Sequence, residues 1–490
     1  MFPTDNLYRR AKRSTRYLAY CAFWVFAGWA MLSSGNSSLF SQAYWQPLEG
    51  GVGRWPFGLY GDSISDALYI LGRMEYPIEN PLQYDKIYQW RGDALAAFAS
   101  SSTDGGAIPR AVSYKGDLYV CGTFFELDTV YSPGFARWTG NSWERPAVEL
   151  PNTAVYWMIT HGDDLYLSGT FDSVGTMRAS GVVKWDGEQW TPVGNMHSLH
   201  SGPARVYTMA FYKDILYAGG NMQDSTGKEA DLLWFKDSVW QEPPGWQNGS
   251  FTTVTSLVVF QDELYVGGAF SKARGNAANG IRRWDGHTWR DVGSGTFGGA
   301  AAINSHIEQM YVHKDALYVV GYFHEVDGIP AQYIARWDGR QWCSLSSSSF
   351  SGHITDLSSW RDTLYVAGGF ITIDGDTMNY VAKWMEDWSS SVCGPLHAPT
   401  ALEDIQAPEA VGVFPNPGST QVFLELPLAQ GPVSIRIFTA SGVCIRSEEI
   451  YPGHIFEGRI QWDVSGFTAG IYFVEITSGN RRYYKKFLKI

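Results

Sequence analysis

The sequence predicts an all-β protein, a seven-bladed β-propeller followed by a small C-terminal β-sandwich. Three observations predict it. A Leu-Tyr pair begins at positions 68, 118, 165, 216, 264, 317 and 364, at intervals of 47 to 53 residues. Each pair is followed by a Gly four residues after the Leu, a Phe or Met six residues after it, and a Trp one strand and a loop later. Short alternating strands with their own turn residues fill the last 80 or so positions. Self-similarity near 50 residues marks an array of small β-units, each of which buries its apolar face only against its neighbours.

The chain opens differently. Residues 1–16 carry five Lys/Arg, and Leu18 to Leu32 is an apolar run. Ser41-Gln42-Ala43 places small residues where a signal peptidase reads. Residues 1–43 therefore read as a secretory signal peptide cleaved after Ala43. The run is short for a span of ~20 residues, and no later stretch is longer, so the mature chain is expected to lack a membrane span.

Residues 44–393 hold the repeats. The clearest copy is Leu264-Tyr265-Val266-Gly267-Gly268-Ala269-Phe270, with Ile281 to Gly286 and Trp289. Each unit reads as four strands. The first is short and apolar, as in Val206 to Met209 or Ile354 to Leu357. A polar turn such as Lys213-Asp214 leads into the Leu-Tyr strand. There Gly72, Gly122, Gly169, Gly220, Gly268, Gly321 or Gly368 lets a neighbouring backbone approach, because no Cβ intervenes. The third strand ends in Trp-Asp-Gly at Trp185, Trp284 and Trp337, and this pair supplies the positive φ of a tight hairpin. The fourth strand opens with a second Trp (143, 190, 240, 289, 342 and, in the last unit, Trp388), placed to pack on the first. Tyr44 to Leu48 looks like a fourth strand with no unit before it, while 384–392 is a degenerate end. The N-terminal strand is expected to complete the last blade and so close the ring.

This arrangement resembles kelch and galactose-oxidase-like propellers. It is more similar still to the propeller repeats of the fungal cortical polarity-marker family, over about 350 residues. The resemblance implies the fold; that fold hosts many unrelated activities.

Gly394, Pro395, Pro399 and Pro408 punctuate residues 394–410, which read as a linker. Residues 411–490 then alternate at Val422 to Leu426, Val433 to Thr439, Arg459 to Val464, Ile471 to Ile476 and Tyr483 to Leu488, the pattern of a small sandwich. Phe414-Pro415-Asn416-Pro417, Ile437-Phe438 with Gly442, Gly470-Ile471-Tyr472-Phe473-Val474 and Lys485-Lys486-Phe487-Leu488-Lys489 strongly resemble the type A C-terminal sorting domain of the type IX secretion system; Cys444 is a minor departure. The resemblance implies that Pro415, Asn416, Pro417, Gly442, Gly470, Tyr472, Lys485 and Lys486 form the sorting motif. It also implies type IX secretion machinery as a partner, and delivery to the outer cell surface or the medium.

Charge and motif content exclude several classes. The net charge is −12, and −16 beyond residue 43, so the surface repels phosphate and no nucleic acid is expected to bind. The five Cys form no C-x-x-C, which argues against zinc. Cys343 and Cys393 either form a disulfide in an exported chain or pack as small residues within strands; the sequence leaves both open. A phosphate loop, G-x-S-x-G and H-E-x-x-H are all absent, and no cofactor is expected.

A site must then come from the loops between strands two and three and between blades, which share one face. They would gather Glu75, Glu126, Asp128, His197, His200, Trp246, His306, His324, Glu325, Asp327 and His353. The histidines lack the spacing of a metal set, so no metal is expected. The Asp-Gly pairs 327–328 and 374–375 recur at one offset, which points to turn chemistry. The expected function is non-catalytic binding of an unidentified protein or glycan. The alternative is a secreted carbohydrate-active enzyme using carboxylates from Glu126, Asp128, Glu325 or Asp327.

Overall fold

The computed structural model describes residues 45–489 apart from 50, 54, 73–84, 101–105, 197–202, 248–251, 273–277, 299–304, 346–347, 386–390, 398–411, 415–419, 426–432, 440–443, 452–458 and 479–480. The proposed signal segment with Ala43, and Glu75, His197, His200, Trp388, Pro415, Asn416, Pro417 and Gly442, lie outside the described residues. Among the described residues the regular elements are β-strands, and no helix is long and apolar enough to cross a membrane.

Among the described residues from Trp45 to Trp384, seven four-stranded antiparallel sheets follow one another. They are numbered here by their Leu-Tyr strands. Sheet five is typical: Thr253–Phe260 innermost, then Glu263–Ala269, Ile281–Trp284 and Trp289–Asp291. Each inner strand packs against the inner strands on both sides. That of sheet seven, Ile354–Trp360, packs on that of sheet one, Pro56–Asp62, which closes the propeller. The outer strand of sheet seven is Trp45–Pro47, paired antiparallel with Val381–Trp384. Trp45 stands opposite Trp384 with ring centroids 4.9 Å apart, so Trp45 takes the place expected for Trp388.

The repeated residues do what their chemistry suggests. Trp284 and Trp289 face each other across the outer hairpin at 4.9 Å, and Trp337 and Trp342 at 5.2 Å. Between them, Asp285 Oδ1 accepts the N–H groups of His287 and Thr288 at 2.7 Å, while Gly286 takes φ +101°. The aspartate therefore caps the turn and the glycine supplies the left-handed step. Sheet four departs from this. Its outer turn has only Asp237-Ser238, both with positive φ, so Trp240 stands opposite Phe235 rather than Trp234. A Cβ on Gly268 would fall 2.1 Å from the Thr253 carbonyl, at the point where the inner strand bulges between Val254 and Ser256. Only glycine admits that approach.

Side chains of neighbouring sheets fill the space between them. Tyr217, Trp246, Leu257, Leu264, Phe270 and Trp284 make one such cluster. Trp246 is thus a core residue and not a face residue as expected: its indole N–H donates to Asp231 Oδ1 at 2.6 Å and its ring packs on Phe270.

The segment leaving the ring is fixed. Ser344 N–H donates to the Val392 carbonyl, Gly394 N–H to that of Trp342 and His397 N–H to that of Arg340, each at 2.8 Å. Cys343 and Cys393 form a disulfide across this pairing, so they do not simply pack as small residues. Residues 394–397, the first of the expected linker, run along the outer edge of sheet six. Beyond them the tail forms two sheets. Gly412–Phe414, Gln421–Glu425 and Arg459–Asp463 make one, and Val433–Thr439, Cys444–Ile450, Gly470–Ser478 and Arg481–Lys489 the other. Val422, Leu424, Ile435, Ile437, Trp462 and Val474 form their shared core.

Candidate functional site

Strand direction decides which loops meet. In every sheet the second strand ends beside the start of the inner strand. The loop leaving the second strand and the loop arriving from the previous sheet therefore open on the same face.

Three of the expected residues come together there. Tyr322, the last residue of Ala316–Tyr322 in sheet six, is 40% exposed. Around it lie the rings of His306 at 5.9 Å, His324 at 5.7 Å, Tyr333 at 6.0 Å and His353 at 6.3 Å. His353 meets Trp55 edge-on at 4.8 Å, and Trp55 stacks with Phe57 at 6.3 Å. The row of rings runs from sheet six across sheet seven to sheet one. Local pairing builds it: His306 is the cross-strand partner of Tyr322, and His353 and Trp55 each directly precede an inner strand. His306 Nε2 lies 2.8 Å from Glu308 Oε1, and Trp55 Nε1 donates to Thr355 Oγ1 at 3.4 Å. Burial pushes the His353 pKa below its ordinary value and His306 adds to this, while Glu308 opposes it. The site is thus a half-buried aromatic row with neutral His353 and one carboxylate, suited to stacking and to accepting hydroxyl hydrogen bonds.

The other expected residues lie elsewhere or have structural tasks. Glu126 and Asp128 belong to a hairpin of sheet two, separated from sheet six by sheets one and seven. Asp128 Oδ1 accepts Ser100 N–H at 2.8 Å and Oγ–H at 3.1 Å, and its φ of +45° makes it a turn residue. Asp327 is buried, accepts Ser294 N–H at 2.8 Å and pairs with His397. Glu325 is exposed on the hairpin Glu325–Val326/Ile329–Pro330. Among the described residues no three His, Cys, Asp or Glu side chains gather as a metal set.

Sequence reasoning does not single out Trp55, Glu308, Tyr322 or Tyr333. One signal was available for Tyr322. The residue after the repeat glycine is Arg73, Thr123, Thr170, Asn221, Ala269 or Gly369 in the other copies, and only here an aromatic.

Deeper in the ring a central cavity of about 570 Å³ is lined by inner strands, with Leu59, Trp157, Met209, Leu257, Met310 and Leu357 among its walls. It also holds Arg110, whose guanidinium lies 3.9 Å over the Trp157 ring and 3.0 Å from the Asp356 carboxylate. Burial pushes the Asp356 pKa up, against the pull of Arg110 and the N–H groups around it.

Residues 412–490 match the family of the secretion system C-terminal sorting domain. The tail is therefore a type IX sorting domain, and the chain is exported to the outer cell surface or the medium by way of the type IX machinery. No curated protein matches the chain. Similar solved structures include PorZ of Porphyromonas gingivalis, described as an essential bacterial surface component of the type IX secretion system. It shares 13% identity over 87% of this chain and 68% of its own, with a TM-score of 0.33. A glycoside hydrolase family 43 arabinoxylan arabinofuranohydrolase from Bacillus subtilis, in complex with cellotetraose, shares 13% identity over 90% of this chain and 96% of its own, with a TM-score of 0.25. Likenesses this distant do not bear on function.

Proposed function

We propose that the chain is an exported, non-catalytic glycan-binding protein. In this reading residues 1–43 are a signal peptide, 44–393 a kelch-type seven-bladed propeller, and 394–410 a connector. Residues 411–490 are the sorting sandwich, with Pro415, Asn416, Pro417, Gly442, Gly470, Tyr472, Lys485 and Lys486 as its motif. The ligand lies on the loop-rich face where sheets six, seven and one meet.

The row of rings from Phe57 through Trp55 and His353 to Tyr322 carries the reading. Aromatic surface offers apolar area to the C–H face of a sugar ring, and Glu308 and the imidazoles offer polar contacts to its hydroxyls. A glycosidase would need two carboxylates roughly 5–10 Å apart, at least one of them desolvated. Two carboxylates of the ring are desolvated, and both are engaged: Asp356 is bound to Arg110 and to the Leu59 N–H, and Asp231 accepts the indole N–H of Trp246.

The test is a glycan panel applied to the full chain, to Tyr322→Ala and to Trp55→Ala. Loss of binding in both variants supports the reading. Glycan binding untouched by either substitution overturns the choice of face, and hydrolysis of a bound glycan favours a carbohydrate-active enzyme.

A further inference from the structure

We propose that the sorting domain docks on the outer turn of sheet six through Arg340 and Glu475, which fixes the tail at the opposite end of the propeller from the Tyr322 face. Glu475 lies on Gly470–Ser478, an interior strand of the tail's four-stranded sheet. Its neighbours Val474 and Ile476 point into the sandwich core, so Glu475 belongs to the face turned away from that core. Such a position is normally open to water, yet Glu475 is only 4% exposed. A buried carboxylate needs charged or hydrogen-bonding partners.

One partner is local: Arg436, cross-strand to Glu475, comes within 3.3 Å. A second comes from the propeller. Arg340 Nη2 donates to Glu475 Oε1 at 2.9 Å. Both guanidinium groups lie over the Phe438 ring, at 5.2 Å for Arg340 and 5.1 Å for Arg436. Phe438 shares the outer face with Arg436 and Glu475, so one acid, two cations and a ring form a single contact spanning both domains.

Arg340 is held ready for this contact. It sits in the turn between Trp337 and Trp342, where Asp338 Oδ1 accepts its N–H at 2.8 Å. The exit segment is led to the same turn. It pairs along Trp342–Ser344, is bonded covalently through Cys343–Cys393, and ends with His397 N–H on the Arg340 carbonyl. The second strand of sheet six begins beside Trp337, at Leu317, and ends at Tyr322. The docking turn and the aromatic row therefore occupy opposite ends of the sheet. A chain recognised or retained by its tail presents the Tyr322 face outward, and removal of the tail bares Arg340.

The test uses the full chain with spin labels on Val148→Cys, exposed on the propeller, and Glu449→Cys, exposed on the tail. The disulfide-intact parent should give one narrow label–label distance. Arg340→Gln should broaden it, and should speed proteolytic separation of the tail from the propeller on the order of tenfold, since one partner of a buried ion pair is removed. Arg340 lies on a turn, so its removal should leave both folds intact, which the circular dichroism spectrum checks. A broad distance in the parent, or a narrow one unchanged by Arg340→Gln, overturns the proposal.

Discussion

Arg110 and Asp356 meet at 3.0 Å across sheet one, bridging sheets two and seven over the inner strand that lies between them. The two residues occupy the same register position in their sheets, each paired with the third residue after the repeat Leu. At that position sheets three to six carry Trp157, Thr208, Ser256 and Gln309, and sheet one carries Gly58. The missing side chain leaves the gap that Arg110 crosses. A Cβ on Gly58 would fall 2.2 Å from the Pro109 carbonyl. Asp356 Oδ2 also accepts the Leu59 N–H at 2.8 Å, so one carboxylate ties three consecutive sheets at the place where the ring closes. Asp356→Ala leaves Arg110 and this N–H without their acceptor. It should lower stability by about 3–5 kcal/mol in urea melts. Asp356→Asn keeps a carbonyl for Leu59 and should cost less.

The Cys343–Cys393 disulfide closes a loop with a sequence separation of 50 residues, and that loop contains most of sheet seven. A cross-link of this span restricts the unfolded chain by about 4 kcal/mol on the chain-entropy account. Cys343→Ser/Cys393→Ser should lower the urea midpoint accordingly, and a reductant should have the same effect on the parent and none on the variant. Because the bond also pins residues 391–397, hydrogen exchange at Val392 and Gly394 should rise even well below the unfolding transition.

Sequence pattern reaches the parts of this fold that repeat. The Leu-Tyr strands, the Trp pairs, the close-approach glycines and closure through Trp45 follow from fixed offsets, because each copy solves the same packing problem. His306, His324 and His353 were legible as candidates for one face. The row they join was not. Trp55 reaches His353 only because the ring closes, across 298 positions of sequence, and Arg110 reaches Asp356 across 246. Such pairs have no periodicity to betray them. Asp327, whose Asp-Gly pair points to turn chemistry, accepts the Ser294 N–H, and Asp128, which has no such pair to mark it, accepts that of Ser100.

Tyr322 and Trp337 sit in the same sheet and should separate binding from stability. Trp337 is 1% exposed, and its indole N–H donates to Tyr265 Oη at 3.1 Å between sheets five and six. Trp337→Ala opens a cavity between blades and should cost about 3–5 kcal/mol. Tyr322 is exposed, so Tyr322→Ala should change stability by no more than about 1 kcal/mol. Its loss from the sheet-six end of the row, where four other rings surround it, should weaken glycan binding roughly tenfold or more. Urea melts and titration calorimetry on the two variants read both effects; a Tyr322→Ala protein with parental affinity would remove that residue from the site.

His353 makes stability, and with it the aromatic row, sensitive to mild acid. Burial holds its pKa below the ordinary 6.5, and the neighbouring His306 adds to the lowering despite Glu308. The unfolded chain therefore takes up this proton at a higher pH than the folded one does. Above the ordinary histidine value both states are neutral and the native contribution is complete. As the pH falls from there towards the depressed folded pKa, the unfolded state binds the larger share of protons and stability declines. Below the folded pKa both states are charged and the loss from this group is complete. His353→Phe keeps an aromatic ring beside Trp55 and removes the titration. Melting temperatures taken from about pH 7 down to about pH 5 should show a shallower decline for His353→Phe than for the parent. Identical slopes would place the acid sensitivity on other groups.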